Sequence, residues 1–227
     1  MVVTKRTRIA MIVATVISCC ALMAVVDGVI KPGYWIKSAI KIALFLLCPV
    51  ACSLLDKDMD LKSLLVPDKK GIKMALCLCI PVFAIILGGY FLLKDVFDFS
   101  AITMALVGNV GVSRENFVFV AIYISFVNSL LEEFFFRGFA FLSLSKLISA
   151  RAAYFFSATL FALYHVAIMS GWFSVWAFLI ALTGLFAGGI LFNLLNEKSG
   201  SIYTSWFVHM FANFAINIIG FILFEII

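Results

Sequence analysis

The chain has 227 residues, 65% of them hydrophobic and 13% charged, with a mean hydropathy of +1.17. A soluble domain is only about half apolar, so this composition excludes a water-soluble globular fold and points to a polytopic membrane protein. The net charge is +5, and eight of the 17 Lys and Arg fall at the N-terminus and between Asp56 and Lys73. That placement suits a surface against anionic lipid and not nucleic acid, because no aromatic residues interleave with the basic ones.

Lys5, Arg6 and Arg8 precede the apolar run Ile9–Val26, which is too long for a usual signal-peptide core and is followed by further spans. It reads as an uncleaved first transmembrane helix with its N-terminus in the cytoplasm. Asp27-Gly28 and Lys31-Pro32-Gly33 read as a short turn, and Trp35–Leu55 as the second span, kinked at Pro49. Lys37 and Lys41 fall inside this span, against the positive-inside trend, and either snorkel outward or line the bundle interior. The stretch from Asp56 to Lys73 is the most charged of the chain and reads as a cytoplasmic loop, with Leu61–Val66 lying on the membrane interface.

Met74–Leu93 is the third span. Lys94–Asn116 is less apolar and reads as a loop or as an eighth, re-entrant segment. Phe117–Lys146 is one long helix, or a helix broken near Gly138. At 1.5 Å per residue it would be about 45 Å long against a hydrocarbon core of roughly 30 Å, so it must tilt, kink or protrude. Ala152–Met169, Trp172–Leu195 and Ile202–Ile227 complete seven spans. The apolar runs are continuous rather than alternating, so the fold class is an all-α transmembrane bundle and not a barrel. Everything reads as one integral-membrane domain over residues 1–227, set in the lipid bilayer of a bacterial plasma membrane. The six cysteines, Cys19, Cys20, Cys48, Cys52, Cys77 and Cys79, have poor metal spacing and read as buried apolar thiols.

Three polar islands interrupt the late spans. The first is Glu132-Glu133-Phe134-Phe135-Phe136-Arg137. A charge at membrane depth costs at least about 2.5–3.5 kcal/mol, so such residues are functional-site candidates by default. Glu133 and Arg137 are four apart in the favourable acid-first order and can pair, which leaves Glu132 on the adjacent face beside Asn128. The other islands hold the chain's two histidines: His165, and His209 with Asn213 and Asn217 at successive steps of four. Counted from the turn near Ser149, Glu133 and His165 lie equally far along their helices, so an antiparallel hairpin sets them at equal depth. His209 enters from the same side, and all three islands can meet in the inner part of the bundle.

These residues resemble the CPBP family (ABI, CAAX protease and bacteriocin-processing proteins) of intramembrane proteases. Its pattern is Glu-Glu-x-x-x-Arg, Phe-x-x-x-His and His-x-x-x-Asn on successive helices. Here the three stand as Glu132-Glu133…Arg137, Phe161…His165 and His209…Asn213, within residues 116–214. The resemblance implies endopeptidase cleavage of a membrane-associated peptide or a prenyl-type, CAAX-like substrate. In the residues' own chemistry, Glu132 would act as general base on water, His165 would orient that water, and His209 and Asn213 would supply donors for the oxyanion. Glu133 with Arg137 would be structural support. Metal stays open. Glu132, His165 and His209 could form a catalytic zinc set, yet no His-Glu-x-x-His pair exists and a metal-free glutamate mechanism uses the same residues. The rival class is a non-catalytic immunity or regulatory protein whose polar cluster is helix glue, and a small transporter is a third reading.

Overall fold

The computed structural model describes residues 3–227, and among these there are helices and no strands. Seven helices are long and apolar enough to cross a membrane: α1 (Lys5–Ile30), α2 (Tyr34–Leu55), α3 (Lys69–Leu93), α5 (Phe117–Ser145), α6 (Ala150–Met169), α7 (Val175–Ser199) and α8 (Ile202–Leu223). The eighth segment exists as α4 (Ser100–Val110), which is too short to span. The chain is thus an all-helical integral membrane protein with seven spans.

Polar side chains mark where these apolar helices start. Thr4, Asp68, Ser149 and Ser174 each accept a backbone N–H from the first turn of α1, α3, α6 and α7. Such caps satisfy donors that a helix cannot satisfy itself. Gly200, at φ +67°, ends α7 in the left-handed conformation that a residue without Cβ adopts at least cost, and it returns its N–H to Asn196 O at 2.7 Å.

Two expectations are corrected, and of the two readings of α5 the single long helix holds. Asp27 and Gly28 do not form a turn: α1 continues through them to Ile30, where Lys31 in the left-handed conformation ends it. Leu61 and Leu64 do not lie on the interface but are buried, and Leu64 packs beneath Gly138, where an added Cβ would stand 3.2 Å from the Leu64 Cδ1. The helix α5 is not broken near Gly138. Instead it is wound more widely from Glu133 to Leu142, with i→i+5 bonding such as the Ser143 N–H to Gly138 O. Wide turns of this kind recur at functional sites. A second such stretch, Ile124–Asn128, lies one turn before the Glu-Glu pair.

The core is aromatic. Phe135, Phe136, Phe139 and Phe141 of α5 are fully buried, and Phe45 of α2 stacks on Phe135 with centroids 4.0 Å apart. On the other side α8 lies against α3 so closely that a Cβ on Gly71 would fall 2.3 Å from Thr204 Oγ1. Arg8 binds Asp56 and reaches Asp58 at 2.8 Å, so the basic start of α1 and the charged loop after α2 share one end of the bundle. This packing wraps α2, α6 and α8 around the middle of α5, where the polar residues lie.

Candidate active site

The two adjacent glutamates are both buried, Glu132 at 2% and Glu133 at 0% exposure, but they are held in different ways. All the hydrogen bonds to Glu132 from the described residues fall on one oxygen. Oε1 takes the Lys41 ammonium at 2.5 Å, the Asn128 amide at 3.1 Å and the Tyr164 hydroxyl at 3.3 Å. Its other oxygen, Oε2, faces His209 Nε2 at 3.7 Å, beyond hydrogen-bond distance. Three donors on one side therefore aim the free oxygen toward α8.

Glu133 is saturated on both oxygens. Oε1 meets His209 Nδ1 at 2.8 Å and Arg137 Nη1 at 3.4 Å, while Oε2 accepts from the Ser205 hydroxyl. Ser205 is in turn held by the Asn196 amide at 2.7 Å. The Arg137 guanidinium is fully buried, and besides Glu133 its company is aromatic. Its carbon lies 3.9 Å from the Phe161 centroid and 4.9 Å from that of Phe192. Desolvated cation–π contacts contribute about 2 kcal/mol each and help offset the burial of this charge.

His209 bridges the pair from α8. It is stacked on Phe192 at 5.2 Å and meets Phe161 edge-on at 6.0 Å. Its Nδ1 lies 2.8 Å from Glu133 Oε1 and its Nε2 faces Glu132, so with one ring proton the shorter contact takes it. In that form Nδ1–H donates to Glu133, and Nε2 presents a lone pair toward Glu132 Oε2.

His165 sits where α6 is interrupted. Its Nδ1 lies 2.7 Å from the Phe161 carbonyl, to which it donates, leaving Nε2 as the acceptor. Its ring packs against Tyr164 at 4.6 Å and Phe161 at 4.9 Å, both of which also line the Glu132–His209 side. The structure thus brings Glu132, Glu133, Arg137, His165 and His209 together. Asn213 is drawn elsewhere: its amide donates to the Ile124 carbonyl at 3.2 Å, and Asn217 donates to Ala121 O and Ser125 Oγ. Both tie α8 to the wide turn of α5, and Asn213 does not converge with His209 on one atom.

Asn128 and Ser205 join the site from outside the motifs, and so do Lys41 and Tyr164. Lys41 is buried, pairs with Glu132 and Asn128, and lies over the Tyr164 ring at 4.9 Å. Of the two fates open to it from sequence, it takes the interior one. Tyr164 was marked by nothing but its place next to His165. Among the described residues no three His, Cys, Asp or Glu side chains are arranged to hold a metal ion, and the Lys41 ammonium stands where a cation at Glu132 Oε1 would.

The fold and site therefore define a membrane-embedded protein with a buried carboxylate–histidine centre. Residues 114–215 match the family model described as Rce1-like, Type II CAAX prenyl endopeptidase Rce1-like. Over that segment the chain is similar to the CAAX prenyl endopeptidases that this model describes. No curated protein and no solved structure matches the chain. Glu132, Glu133, Arg137, His165, His209 and Asn213 all fall within the matched segment, whereas Lys41 lies outside it.

Proposed function

We propose that the chain hydrolyses a peptide bond of a membrane-associated substrate with water held between Glu132 and His209. The observation that carries this reading is the pair of facing acceptors, Glu132 Oε2 and His209 Nε2, 3.7 Å apart. Two lone pairs turned toward each other are satisfied by a molecule that donates to both, and water does so with one hydrogen to each.

The reaction then runs in two steps. The water oxygen bonds to the substrate carbonyl carbon as Glu132 Oε2 takes one of its protons, giving a tetrahedral oxyanion. The carbon–nitrogen bond then breaks, and the proton on Glu132 passes to the leaving amine. In this scheme His209 accepts from water instead of donating to the oxyanion. Glu133, Ser205 and Arg137 fix the tautomer and ring plane of His209. Lys41, Asn128 and Tyr164 fix the carboxylate plane of Glu132.

No step in this scheme requires a metal. The substrate class is a membrane peptide or a prenyl-type C-terminal peptide, and the basic end of α1 with the loop after α2 is assigned to the cytoplasm. The test is cleavage of a panel of prenylated and unmodified membrane peptides by purified wild type and Glu132→Gln, with metal content measured on the same preparations. Cleavage lost in Glu132→Gln at full folding, in protein without stoichiometric metal, supports the proposal. Equal cleavage by both proteins contradicts it. Stoichiometric metal whose removal stops cleavage would overturn the metal-free step.

A further inference from the structure

Where α1 gives way to α2 there is a cavity of about 80 Å³, bordered by Asp27, Lys37, Asn109, Ala167, Ile168 and Ser170. A buried water needs roughly 10–15 Å³ of such space and two to four polar partners, so the cavity has room and partners for several. Asp27 adds a second, independent sign. Its side chain is 1% exposed, and its Oδ1 is held by the Lys37 ammonium at 2.6 Å, while its Oδ2 has no hydrogen-bond partner among the described residues. A buried carboxylate oxygen left unsatisfied beside a polar void points to ordered water.

The cavity is close to the proposed chemistry on two sides. Lys37 and Lys41 lie one turn apart on the same face of α2, and Lys41 reaches Glu132 Oε1. On α6, Ala167 and Ile168 follow directly after His165, whose ring rests on Tyr164, itself bonded to Glu132. Elsewhere the site is walled by Phe45, Phe136, Phe161 and Phe192. Hydrolysis consumes one water for each bond cut, and aromatic walls do not supply it. We infer that this cavity is the water port of the site: water enters at Asp27 and passes along Lys37 and Lys41 to Glu132. The inference rests on the hydrolase reading for its purpose but not for its test.

Two arms test it. In the first, Ala167→Cys is treated with a charged methanethiosulfonate, which reacts with thiols in water, and labelling by the native cysteines is subtracted using unsubstituted protein. Labelling about tenfold faster than at Phe155→Cys, an exposed position of the apolar bundle surface, is expected. Equally slow labelling at the two positions overturns the port. In the second, Ala167→Leu fills the cavity, and kcat falls about tenfold with KM unchanged, while Ala167→Ser, which leaves the space, retains the wild-type rate. An unchanged kcat in folded Ala167→Leu overturns the port. Fast labelling at Ala167→Cys in a protein without Glu132-dependent cleavage would sink the hydrolase reading and keep the water-filled cavity. Slow labelling in an active enzyme would sink the port alone.

Discussion

Glu132 and Glu133 are neighbours in sequence, equal in charge and equally buried, yet their surroundings are opposite. Glu133 is closed off: each oxygen has its partner, and those partners, Arg137, His209 and Ser205, come from α5 and α8. Glu132 is half open: among the described residues every donor falls on Oε1 and none lies within hydrogen-bond distance of Oε2. A carboxylate saturated on both sides fixes geometry, and one held from a single side keeps an oxygen for chemistry. The comparison teaches that burial alone does not separate a structural acid from a working one, whereas the distribution of donors over its two oxygens does.

The largest effect is expected at Glu132. Glu132→Gln keeps the size of the side chain and removes the base, so peptide cleavage falls by about 10²–10⁴-fold, measured as initial rate per folded protein. Glu133→Gln acts in the other direction. It leaves the buried Arg137 without its counter-charge and costs about 3–5 kcal/mol of stability in a denaturation assay. Activity per folded molecule drops only about tenfold, the scale of one lost orienting hydrogen bond of ~1.4 kcal/mol. Next is Lys41, whose removal alone strands Glu132. Lys41→Met lowers stability by about 3–5 kcal/mol, and the double variant Lys41→Met/Glu132→Gln recovers most of it because both charges are gone. Cleavage stays lost in the double variant, which separates the two roles of the pair.

Smaller effects mark the frame around the site. Gly71→Ala drives a Cβ into Thr204 Oγ1 and Ser199 Cβ, at 2.3 and 2.7 Å, and loosens the contact of α3 with α8 by about 1–3 kcal/mol. Asn217→Ala removes its bonds to Ala121 and Ser125 and costs about 1 kcal/mol, the range of interhelical hydrogen bonds in membranes. Thermal melts of both variants check these values. Cleavage by the folded fraction of Asn217→Ala is expected to match wild type, since Asn217 ties helices and touches neither glutamate.

The spans were readable from sequence because each is a continuous apolar run of membrane length, and seven is the number found. That the Glu-Glu, His165 and His209 islands can meet was readable too, since polar groups in adjacent apolar helices have few other places to go, but that His209 bonds Glu133 was not, because spacing had already paired Glu133 with Arg137. Lys41 was not assignable, because a lysine near a helix end either snorkels or turns inward, and only the rotation of α2 about its own axis decides. Asp27 was misplaced for a related reason. Asp-Gly is a turn signal in water, but α1 carries it as a wide helical turn with Asp27 facing Lys37. The wide winding of Glu133–Leu142 left no mark in the pattern of apolar residues, since Phe134, Phe135 and Phe136 are buried on every side. Asn213 sits at the expected spacing from His209, but spacing does not reveal that the widened turn at Ile124 presents a carbonyl for it to bind.

The division of labour between the two acids is tested most directly by single-turnover cleavage of one membrane-anchored peptide. Glu132→Gln and Glu133→Gln would be compared at matched folded fractions. The account predicts that Glu132→Gln is slower than Glu133→Gln by at least about tenfold. Equal rates, or a slower Glu133→Gln, would contradict it.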